Sequence, residues 1–332
     1  MSYQKIGVIG AGAWGTALAQ TLSKTGRDVT IWSFEPDCAE AINERHVNEC
    51  YLDGVPLDPK LRATSDPADL AGSDAILSVA PAQHTRATLA AFVPYIAAST
   101  PVLLCSKGIE ISTRAFMADV LRDVMPDAIP AVLSGPSFAA DVARGLPTAV
   151  TLACADETVG AALVEACAAP TFRPYLTDDV MGAEIGGAVK NVLAIVCGIV
   201  LGKELGRSAH AAIMTRGFAE MTRLGKALGA RPETLTGLCG LGDLVLTCSS
   251  EMSRNMSCGL ALGRGEKLED ILQGRLAVTE GVATAPALKL LAQQHGVDMP
   301  ISFALAGILD GSISVDEAVV DLLSRDHRPE TE

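Results

Sequence analysis

A glycine-rich turn between a buried strand and a helix is the feature that most constrains this chain. Lys5–Ile9 has the apolar pattern of a buried strand, residues 10–15 follow it with the spacing GxGxxG, and a helical pattern then runs to Gly26. A second apolar strand, residues 29–32, comes within about 30 residues of the first, as in a dinucleotide-binding βαβ unit. Glycines allow the tight turn and let the backbone approach a pyrophosphate at the positive end of the helix. The turn therefore predicts a Rossmann-like half that binds a dinucleotide.

The end of the second strand leaves the choice between NAD and NADP open. A carboxylate that binds the ribose 2′-hydroxyl of NAD is expected near position 33, but Ser33 and Phe34 stand there and Glu35 comes slightly later. No arginine follows immediately to bind the 2′-phosphate of NADP. We therefore expect the chain to accept both cofactors.

Apolar strands continue to alternate with amphipathic helices through the first half of the chain. Further strands are predicted at residues 75–79, 101–106, 131–134 and 148–152. Such alternation is typical of a mostly parallel sheet with helices on both faces, whose ligands bind beyond the carboxyl ends of the strands. Lys107 and residues 135–137 follow two of these strands, so both can meet a substrate near the cofactor. The alternative for Lys107 is a solvated loop residue, the more common fate of an isolated lysine.

The character of the sequence changes near residue 178. Residues 177–179 have the composition of a helix N-terminus, and strand patterns largely disappear after them. Long helical patterns follow at residues 184–197, 209–228, 285–295 and 315–323. We therefore predict an α/β Rossmann domain over residues 1–177 and an all-helical substrate and catalytic domain over residues 178–332.

The first of these helical patterns, residues 184–197, is almost entirely apolar or small but contains Lys190. Most faces of such a helix must be covered, and a buried ammonium is costly unless it is paired. One interpretation is a lysine that extends its amine to solvent. The other is a partly desolvated proton carrier in a cleft, for which Asp243 and Lys107 are candidate partners. The presence of these partners favours the second interpretation.

A glycine-rich segment, residues 237–248, separates two of the later helices and is followed by a polar triplet. Its glycines flank an apolar run and predict a tightly packed turn that positions Asp243. Ser253, Arg254 and Asn255 offer a hydroxyl, a guanidinium and an amide, a set suited to gripping a phosphate. Taken singly, Asp243 could be a helix cap and Arg254 a surface ion pair. Their combination with Lys190 and a dinucleotide turn favours a substrate site.

Composition excludes several classes of protein. A net charge of −13 opposes nucleic-acid binding, and 4% aromatic residues leave little for base stacking. The nine cysteines are scattered without a CxxC pair, so we expect reduced core thiols and no metal site. The longest uncharged apolar run, residues 192–202, is shorter than the roughly 20 residues that span a bilayer, and the first residues lack the pattern of a signal peptide. We expect a cytoplasmic protein that is not integral to a membrane.

Several of these segments together resemble bacterial NAD(P)-dependent glycerol-3-phosphate dehydrogenase along nearly the whole chain. The shared segments are residues 10–19, 107–110, 134–139, 186–191, 240–248 and 253–255. The first is common to dinucleotide folds, whereas three in this order are specific to the family: residues 134–139, residues 186–191, and residues 240–248 with 253–255. The resemblance implies reversible reduction of dihydroxyacetone phosphate to sn-glycerol 3-phosphate, which feeds phospholipid synthesis.

The resemblance also implies roles for the matching residues. Lys190 would be the proton donor and acceptor, and we expect Lys107 to stabilise the oxyanion and Asp243 to orient Lys190. The substrate site would be lined by Lys107, Gly135, Ser137, Lys190, Asp243, Ser253, Arg254 and Asn255. The cofactor would meet Gly10, Gly12, Ala13, Trp14, Gly15, Phe34, Lys107, Ala139, Arg254, Val278 and Glu280. Family members often have Ser or Thr at position 13 and a polar or basic residue at 34, so Ala13 and Phe34 argue against a strong NADPH preference.

Two other functions stay open from the sequence. A related two-domain dehydrogenase would act on another small hydroxy or keto acid, because a fold alone does not fix its substrate. A non-catalytic nicotinamide-binding redox sensor would also use a cleft. Such a sensor does not need Lys107, Lys190 and Asp243 together with the phosphate-binding residues 253–255. We expect a small phosphorylated substrate and, because the helical half is apolar, a homodimer.

Overall fold

The first half of the chain forms one wide sheet with helices on both faces. A computed structural model of the chain describes residues 3–273, 278–325 and 329. The strands are β1 Lys5–Ile9, β2 Asp28–Trp32, β3 Arg62–Thr64, β4 Ala75–Ser78, β5 Pro101–Leu104, β6 Ile129–Ser134, β7 Thr148–Cys154 and β8 Phe172–Thr177. The helices of this half are α1 Ala13–Lys24, α2 Pro36–Arg45, α3 Thr85–Phe92, α4 Met117–Val124, α5 Ala139–Ala143 and α6 Glu157–Cys167.

The sheet has the strand order β3-β2-β1-β4-β5-β6-β7-β8. Every neighbouring pair is parallel except β6 and β7. The predicted mostly parallel sheet is confirmed. The strand order reverses direction between β1 and β4, and ligands of such sheets bind beyond the carboxyl ends of the strands at this point.

Two of these strands were not predicted. β3 has three residues, too few to show a hydrophobic period. β8 lies at the edge of the sheet, alternates buried with exposed residues at its start, and contains Arg173 and Pro174. Charged residues and proline are typical of edge strands, so β8 lacks the apolar run that marks the buried strands.

Beyond Thr177, the described elements are helical, as predicted for the second half. They are α7 Val180–Gly202, α8 Arg207–Ala227, α9 Pro232–Thr236, α10 Asp243–Ser249, α11 Arg254–Gly263, α12 Leu268–Leu272, α13 Glu280–Gln294, α14 Pro300–Leu309 and α15 Val315–Leu323. One π-helical turn, Leu238–Gly242, leads directly into α10. The change from sheet to helix falls between Thr177 and Val180.

Helix α7 is the central element of the helical half. Every residue from 182 to 200 is buried, including Lys190. The helix is 23 residues long and apolar enough to cross a membrane, but 89% of its most apolar window is buried inside the protein. The helix is longer than the uncharged run at residues 192–202, because it also includes the N-terminal stretch that contains Glu184 and Lys190. Its burial is that of the core helix of a helical bundle.

Helices α7 and α11 touch through their backbones. A Cβ atom on Gly259 would lie 1.9 Å from the carbonyl oxygen of Ile195, and one on Gly198 would lie 2.2 Å from that of Met256. Real Cβ atoms do not make contacts this short, so this approach requires glycine. The contact fixes the N-terminal half of α11 against the C-terminal half of α7.

Candidate active site

Two lysine amines converge on one buried carboxylate. Lys190 Nζ lies 2.9 Å from Asp243 Oδ1, and Lys107 Nζ lies 2.7 Å from Asp243 Oδ2. The side chain of Asp243 is 2% exposed and that of Lys190 is 9% exposed, so the amine of Lys190 does not extend to solvent. The structure therefore brings both lysines predicted to be catalytic into contact with Asp243, the third predicted catalytic residue.

The three residues reach this point from separate elements. Lys190 lies in the middle of α7, and Lys107 lies in the loop that follows β5. Asp243 is the first residue of α10, directly after the π-helical turn. Within that turn, a Cβ atom on Gly240 would lie 2.0 Å from the carbonyl oxygen of Leu235 in α9. The tight packing of this glycine turn fixes the start of α10, where Asp243 lies.

Thr247 is a further member of the cluster that the sequence did not reveal. Its Oγ1 accepts a hydrogen bond from Lys190 Nζ at 2.9 Å and donates one to Asp243 Oδ1 at 3.1 Å. Thr247 lies four residues after Asp243 in α10, so both side chains lie on one face of the helix. That spacing is the sequence cue, and it is weak because a threonine in an apolar run has no chemical signature of its own.

The surroundings shift the pKa values of the cluster. Burial lowers the pKa of Lys190 to about 8, Asp243 opposes this effect, and the like charge of Lys107 adds to it. Burial alone would raise the pKa of Asp243, but the charges of Lys107 and Lys190 outweigh burial and lower it. A lysine with a pKa near 8 can both give and take a proton near neutral pH. The arrangement is suited to a proton carrier beside an ionised partner.

Lys107 is also held by the loop that follows β6. Its Nζ donates to the carbonyl oxygen of Gly135 at 3.1 Å, and Ser137 Oγ donates to the same oxygen at 3.1 Å. Gly135 has a φ of +154°, and a Cβ atom there would lie 2.9 Å from Val150 Cα. The position therefore requires glycine, and it places Gly135 and Ser137, both predicted substrate residues, beside Lys107.

A chain of amides joins the cluster to the rest of the helical half. Asn191 Nδ2 donates to the carbonyl oxygen of Lys107 at 2.8 Å, and Asn255 Nδ2 donates to Asn191 Oδ1 at 2.9 Å. The backbone N–H of Gly281 donates to Asn255 Oδ1 at 2.9 Å. Asn255, a predicted substrate residue, thus uses its oxygen and one amide hydrogen within the protein. The chain fixes the β5 loop, α7, α11 and α13 relative to one another.

The N-terminus of α11 carries the other two predicted substrate residues. Ser253 is the N-cap, and its Oγ accepts a hydrogen bond from the N–H of Met256 at 3.2 Å. Arg254 is the first helical residue and is exposed. Burial raises the pKa of Glu280, and the positive charge of Arg254 opposes that rise. A helix N-terminus that carries an arginine is suited to a phosphate.

The glycine-rich turn after β1 fits the pyrophosphate of a dinucleotide. Helix α1 begins at Ala13, with Gly12 as N-cap and no side-chain cap. A Cβ atom on Gly12 would meet nothing within 4 Å, whereas one on Gly15 would lie 1.9 Å from the carbonyl oxygen of Gly10. Gly15 therefore permits the tight turn, and Gly12 leaves open space at the positive end of the helix.

Among the buried polar atoms that lack a hydrogen-bond partner in the described residues, two belong to predicted cofactor residues. One is Trp14 Nε1, in the first turn of α1. The other is Glu280 Oε2, whose companion Oε1 accepts a hydrogen bond from the N–H of Ala82, just beyond β4, at 3.0 Å. Unpartnered buried polar atoms are costly. Those of Trp14 and Glu280 are consistent with the predicted contacts of both residues with a bound dinucleotide.

The remaining predicted cofactor residues lie around the same edge of the sheet. Ala139 begins α5, which packs against α1. Val278 is 40% exposed and lies two residues before α13. Phe34 is 78% exposed and lies just beyond the end of β2. The structure thus distributes these residues from the end of β2 to the start of α13.

A dinucleotide-binding sheet joined to a helical half with a buried lysine–carboxylate cluster defines a nicotinamide-dependent oxidoreductase. Family models make the class more specific. The N-terminus of NAD-dependent glycerol-3-phosphate dehydrogenase matches residues 5–160, and the C-terminus of the same family matches residues 179–320. The chain belongs to this family.

Individual relatives match the chain over nearly its full length. It is 65% identical over 329 residues to glycerol-3-phosphate dehydrogenase (NAD(P)+) of Maricaulis maris, covering 99% of both chains. It is 60% identical over 330 residues to that of Caulobacter vibrioides, covering 99% of this chain and 100% of the relative. The crystal structure of glycerol-3-phosphate dehydrogenase from Coxiella burnetii superposes with a TM-score of 0.93 at 40% identity, covering 98% of this chain and 99% of that one.

Proposed function

We propose that the protein catalyses the reversible reduction of dihydroxyacetone phosphate to sn-glycerol 3-phosphate and so supplies glycerophospholipid synthesis. The observation that carries this proposal is the contact of Lys190 and Lys107 with Asp243, at 2.9 and 2.7 Å. Residues 1–177 bind NAD or NADP, and residues 178–332 supply the proton carrier and most of the substrate site. The names of the relatives favour this substrate over another hydroxy acid and favour an enzyme over a redox sensor.

The reaction needs a hydride at the carbonyl carbon and a proton at the carbonyl oxygen. The bound nicotinamide dinucleotide supplies the hydride. Lys190, whose pKa is about 8, donates the proton to the developing alkoxide. The ammonium of Lys107 stabilises the negative charge on the same oxygen. In the reverse direction, neutral Lys190 accepts the proton of the alcohol.

The hydrogen bonds of the two ammonium groups support these roles. Each ammonium has three N–H donors. Lys107 directs two of them to Asp243 and Gly135, and Lys190 directs one to Thr247 while its charge pairs with Asp243 at 2.9 Å. Each lysine thus keeps at least one donor for the substrate oxygen.

The phosphate of the substrate binds at the N-terminus of α11. Arg254 supplies the guanidinium, and the first turn of the helix supplies the positive end of its dipole. Binding energy from this remote group holds the ketone in place for reaction.

We also propose that the protein works in the cytoplasm as a homodimer. Helix α15 exposes apolar side chains at Val320 (63%) and Leu323 (81%), which supports a contact with a second copy through the helical half. Sedimentation equilibrium of the purified chain measures the mass in solution, and a monomer at micromolar concentration would contradict the dimer.

Oxidation of NADH and NADPH, assayed with dihydroxyacetone phosphate and with a panel of keto acids, tests the reaction. We expect turnover with dihydroxyacetone phosphate and a fall in kcat of roughly 10²–10⁴-fold in Lys190→Ala, the range for loss of an acid–base group. Lys203→Ala is the matched control, because Lys203 lies at the end of the same helix and pairs with Asp316. Turnover with keto acids alone would favour another dehydrogenase, and cofactor binding without any turnover would favour the sensor.

A further inference from the structure

The end of β2 carries a carboxylate next to the glycine-rich turn. The N–H of Gly10 donates to the carbonyl oxygen of Trp32 at 3.0 Å, so the last residue of β2 is bonded to the first residue of the turn. Glu35 follows three residues later as the N-cap of α2, and it is exposed. Its Oε1 accepts a hydrogen bond from the hydroxyl of Tyr51 at 2.9 Å. This hydrogen bond restricts where the carboxylate of Glu35 can lie.

Tyr51 belongs to a segment that is anchored on the glycine-rich turn. Asn48 Nδ2 donates to the carbonyl oxygen of Ala11 and to Thr16 Oγ1, each at 2.8 Å. Asn48 Oδ1 accepts a hydrogen bond from the N–H of Tyr51 at 3.3 Å. Asn48 is 1% exposed, so this anchor is buried. Glu35 is therefore connected through Tyr51 and Asn48 to the turn that fits the pyrophosphate.

The arginines of β3 and α2 lie at the ends of these elements away from the Glu35 carboxylate, and both are paired. Arg62 of β3 pairs with Asp28, which lies at the opposite end of β2. Arg45, the last residue of α2, pairs with Glu49 at 3.0 Å. Beyond the end of β3, the neighbour of β2, the chain places a further carboxylate at Asp66. The carboxylates of Glu35 and Asp66 suit a sugar hydroxyl, which donates hydrogen bonds, and oppose a second phosphate.

Phe34 precedes Glu35 at the same end of β2. Its ring is 78% exposed and lies edge-on to that of Trp32, with 6.3 Å between the ring centroids. An exposed aromatic face stacks on a base, but it gives no charge to a phosphate. Position 34 therefore provides no counter-charge for the 2′-phosphate of NADP.

We infer that Glu35, positioned by Tyr51, makes this protein bind NADH more tightly than NADPH. A carboxylate beyond the second strand accepts hydrogen bonds from the ribose hydroxyls of NAD, and the same carboxylate repels a 2′-phosphate. Tyr51 engages only Oε1, and the contact of Ser33 Oγ with Oε2 is long, at 3.5 Å. Oε2 is thus available to the ribose. The inference rests on the proposed dinucleotide function. It adds to that proposal which of the two accepted cofactors binds more tightly.

Calorimetric titration of NADH and NADPH into the full chain without substrate measures this preference apart from catalysis. We expect the wild type to bind NADH about tenfold more tightly, because a carboxylate and a 2′-phosphate repel each other at close range. Glu35→Gln should tighten NADPH binding by about the same factor, and the double variant Phe34→Arg, Glu35→Gln should reverse the preference. Tyr51→Phe should reduce it in part, because Glu35 loses its hydrogen bond. Glu40→Gln, on the exposed face of α2, is the control and should leave the ratio of the two Kd values unchanged.

Two results would overturn the inference. One is equal or tighter binding of NADPH by the wild type, and the other is an unchanged ratio of Kd values in Glu35→Gln. Either result would leave the dehydrogenase reaction intact, since both cofactors would still be oxidised with dihydroxyacetone phosphate. Failure of the proposed function is distinct, because both cofactors would then bind without turnover. Thermal melting checks that Glu35→Gln folds as the wild type does, which we expect because Glu35 is exposed.

Discussion

Lys107 and Lys190 share the carboxylate of Asp243 although they come from opposite halves of the chain. Lys107 follows a strand of the sheet and contacts Oδ2, while Lys190 lies in the core helix and contacts Oδ1. The charge of Lys107 contributes to the lowered pKa of Lys190. A residue of the sheet half thus lowers the pKa of the proposed proton carrier, which belongs to the helical half.

The pH dependence of the reaction should follow the pKa of Lys190, which is about 8. Proton donation needs the ammonium, so ketone reduction should fall as the pH rises through about 8, and alcohol oxidation, which needs the neutral amine, should rise. Lys107→Met removes a like charge and should move both transitions to higher pH, with a lower kcat. Profiles of kcat/KM against pH in both directions measure this shift. A transition that stays in place in Lys107→Met would contradict the coupling.

Thr247→Val should lower kcat about fivefold, because Lys190 loses a hydrogen-bond acceptor of roughly 1 kcal/mol while the shape of the side chain is kept. Loss of an acceptor disfavours the ammonium, so the transition of the reduction rate should move to lower pH. Thr247→Ser keeps the hydroxyl and should restore most of the activity. Steady-state kinetics of both variants test this, and equal defects in the two would point to packing instead of the hydroxyl.

Arg254→Ala should raise KM for dihydroxyacetone phosphate by roughly 10²-fold, as expected when a charged partner is removed from an anion. Turnover of unphosphorylated dihydroxyacetone should fall much less, because only the predicted contact of Arg254 with the cofactor is then lost. Arg264→Ala is the matched control, since Arg264 is exposed at the other end of the same helix. The comparison of the two substrates is decisive, because an equal loss with both would exclude a role for Arg254 in phosphate binding.

Gly12→Ala and Gly15→Ala should separate cofactor binding from folding. A methyl group on Gly12 enters open space, so thermal stability should be kept while dinucleotide affinity falls. A methyl group on Gly15 would overlap the carbonyl oxygen of Gly10, so that variant should lose stability. Calorimetric titration and thermal melting measure the two effects. Wild-type affinity in Gly12→Ala would contradict the placement of the pyrophosphate.

Glu184→Gln should stabilise the protein in a pH-dependent manner. Glu184 is buried, its Oε1 accepts a hydrogen bond from the N–H of Ala118 at 2.8 Å, and burial raises its pKa from 4.5 to about 8. A raised pKa means that its contribution to stability is fully present below about pH 4.5 and is lost as the pH rises to about 8. Glutamine keeps an acceptor without this loss. The difference in Tm between variant and wild type should therefore grow over this range, and a constant difference would contradict the shift.

Residues with a local pattern could be predicted from the sequence. The strand, glycine turn and helix around Gly12 follow one another directly, and Lys190 stands out because its neighbours are apolar. The three-residue strand β3 and the edge strand β8 have no such local pattern. Their place in the sheet depends on pairing with β2 and β7, which the local sequence does not encode.

The contacts within the site depend on packing between distant segments. Thr247 meets Lys190 only because α10 lies against α7, and Asn191 meets the Lys107 carbonyl only because the two halves join. Whether the Lys190 amine reaches solvent or is paired inside the protein depends on what lies against it, and the structure places Asp243 there. The balance of burial and charge that sets its pKa was likewise out of reach from the sequence, because it requires distances.

The backbone contact at Gly198 and Gly259 packs α7 tightly against α11, and these two helices carry Lys190 and Arg254. The packing of the two helices therefore sets how far apart the backbone positions of these residues lie. A three-carbon phosphate is expected to place its ketone at one end and its phosphate at the other, whereas a longer or shorter molecule would reach only one of them. Substrate length would then be selected by glycines that never touch the substrate.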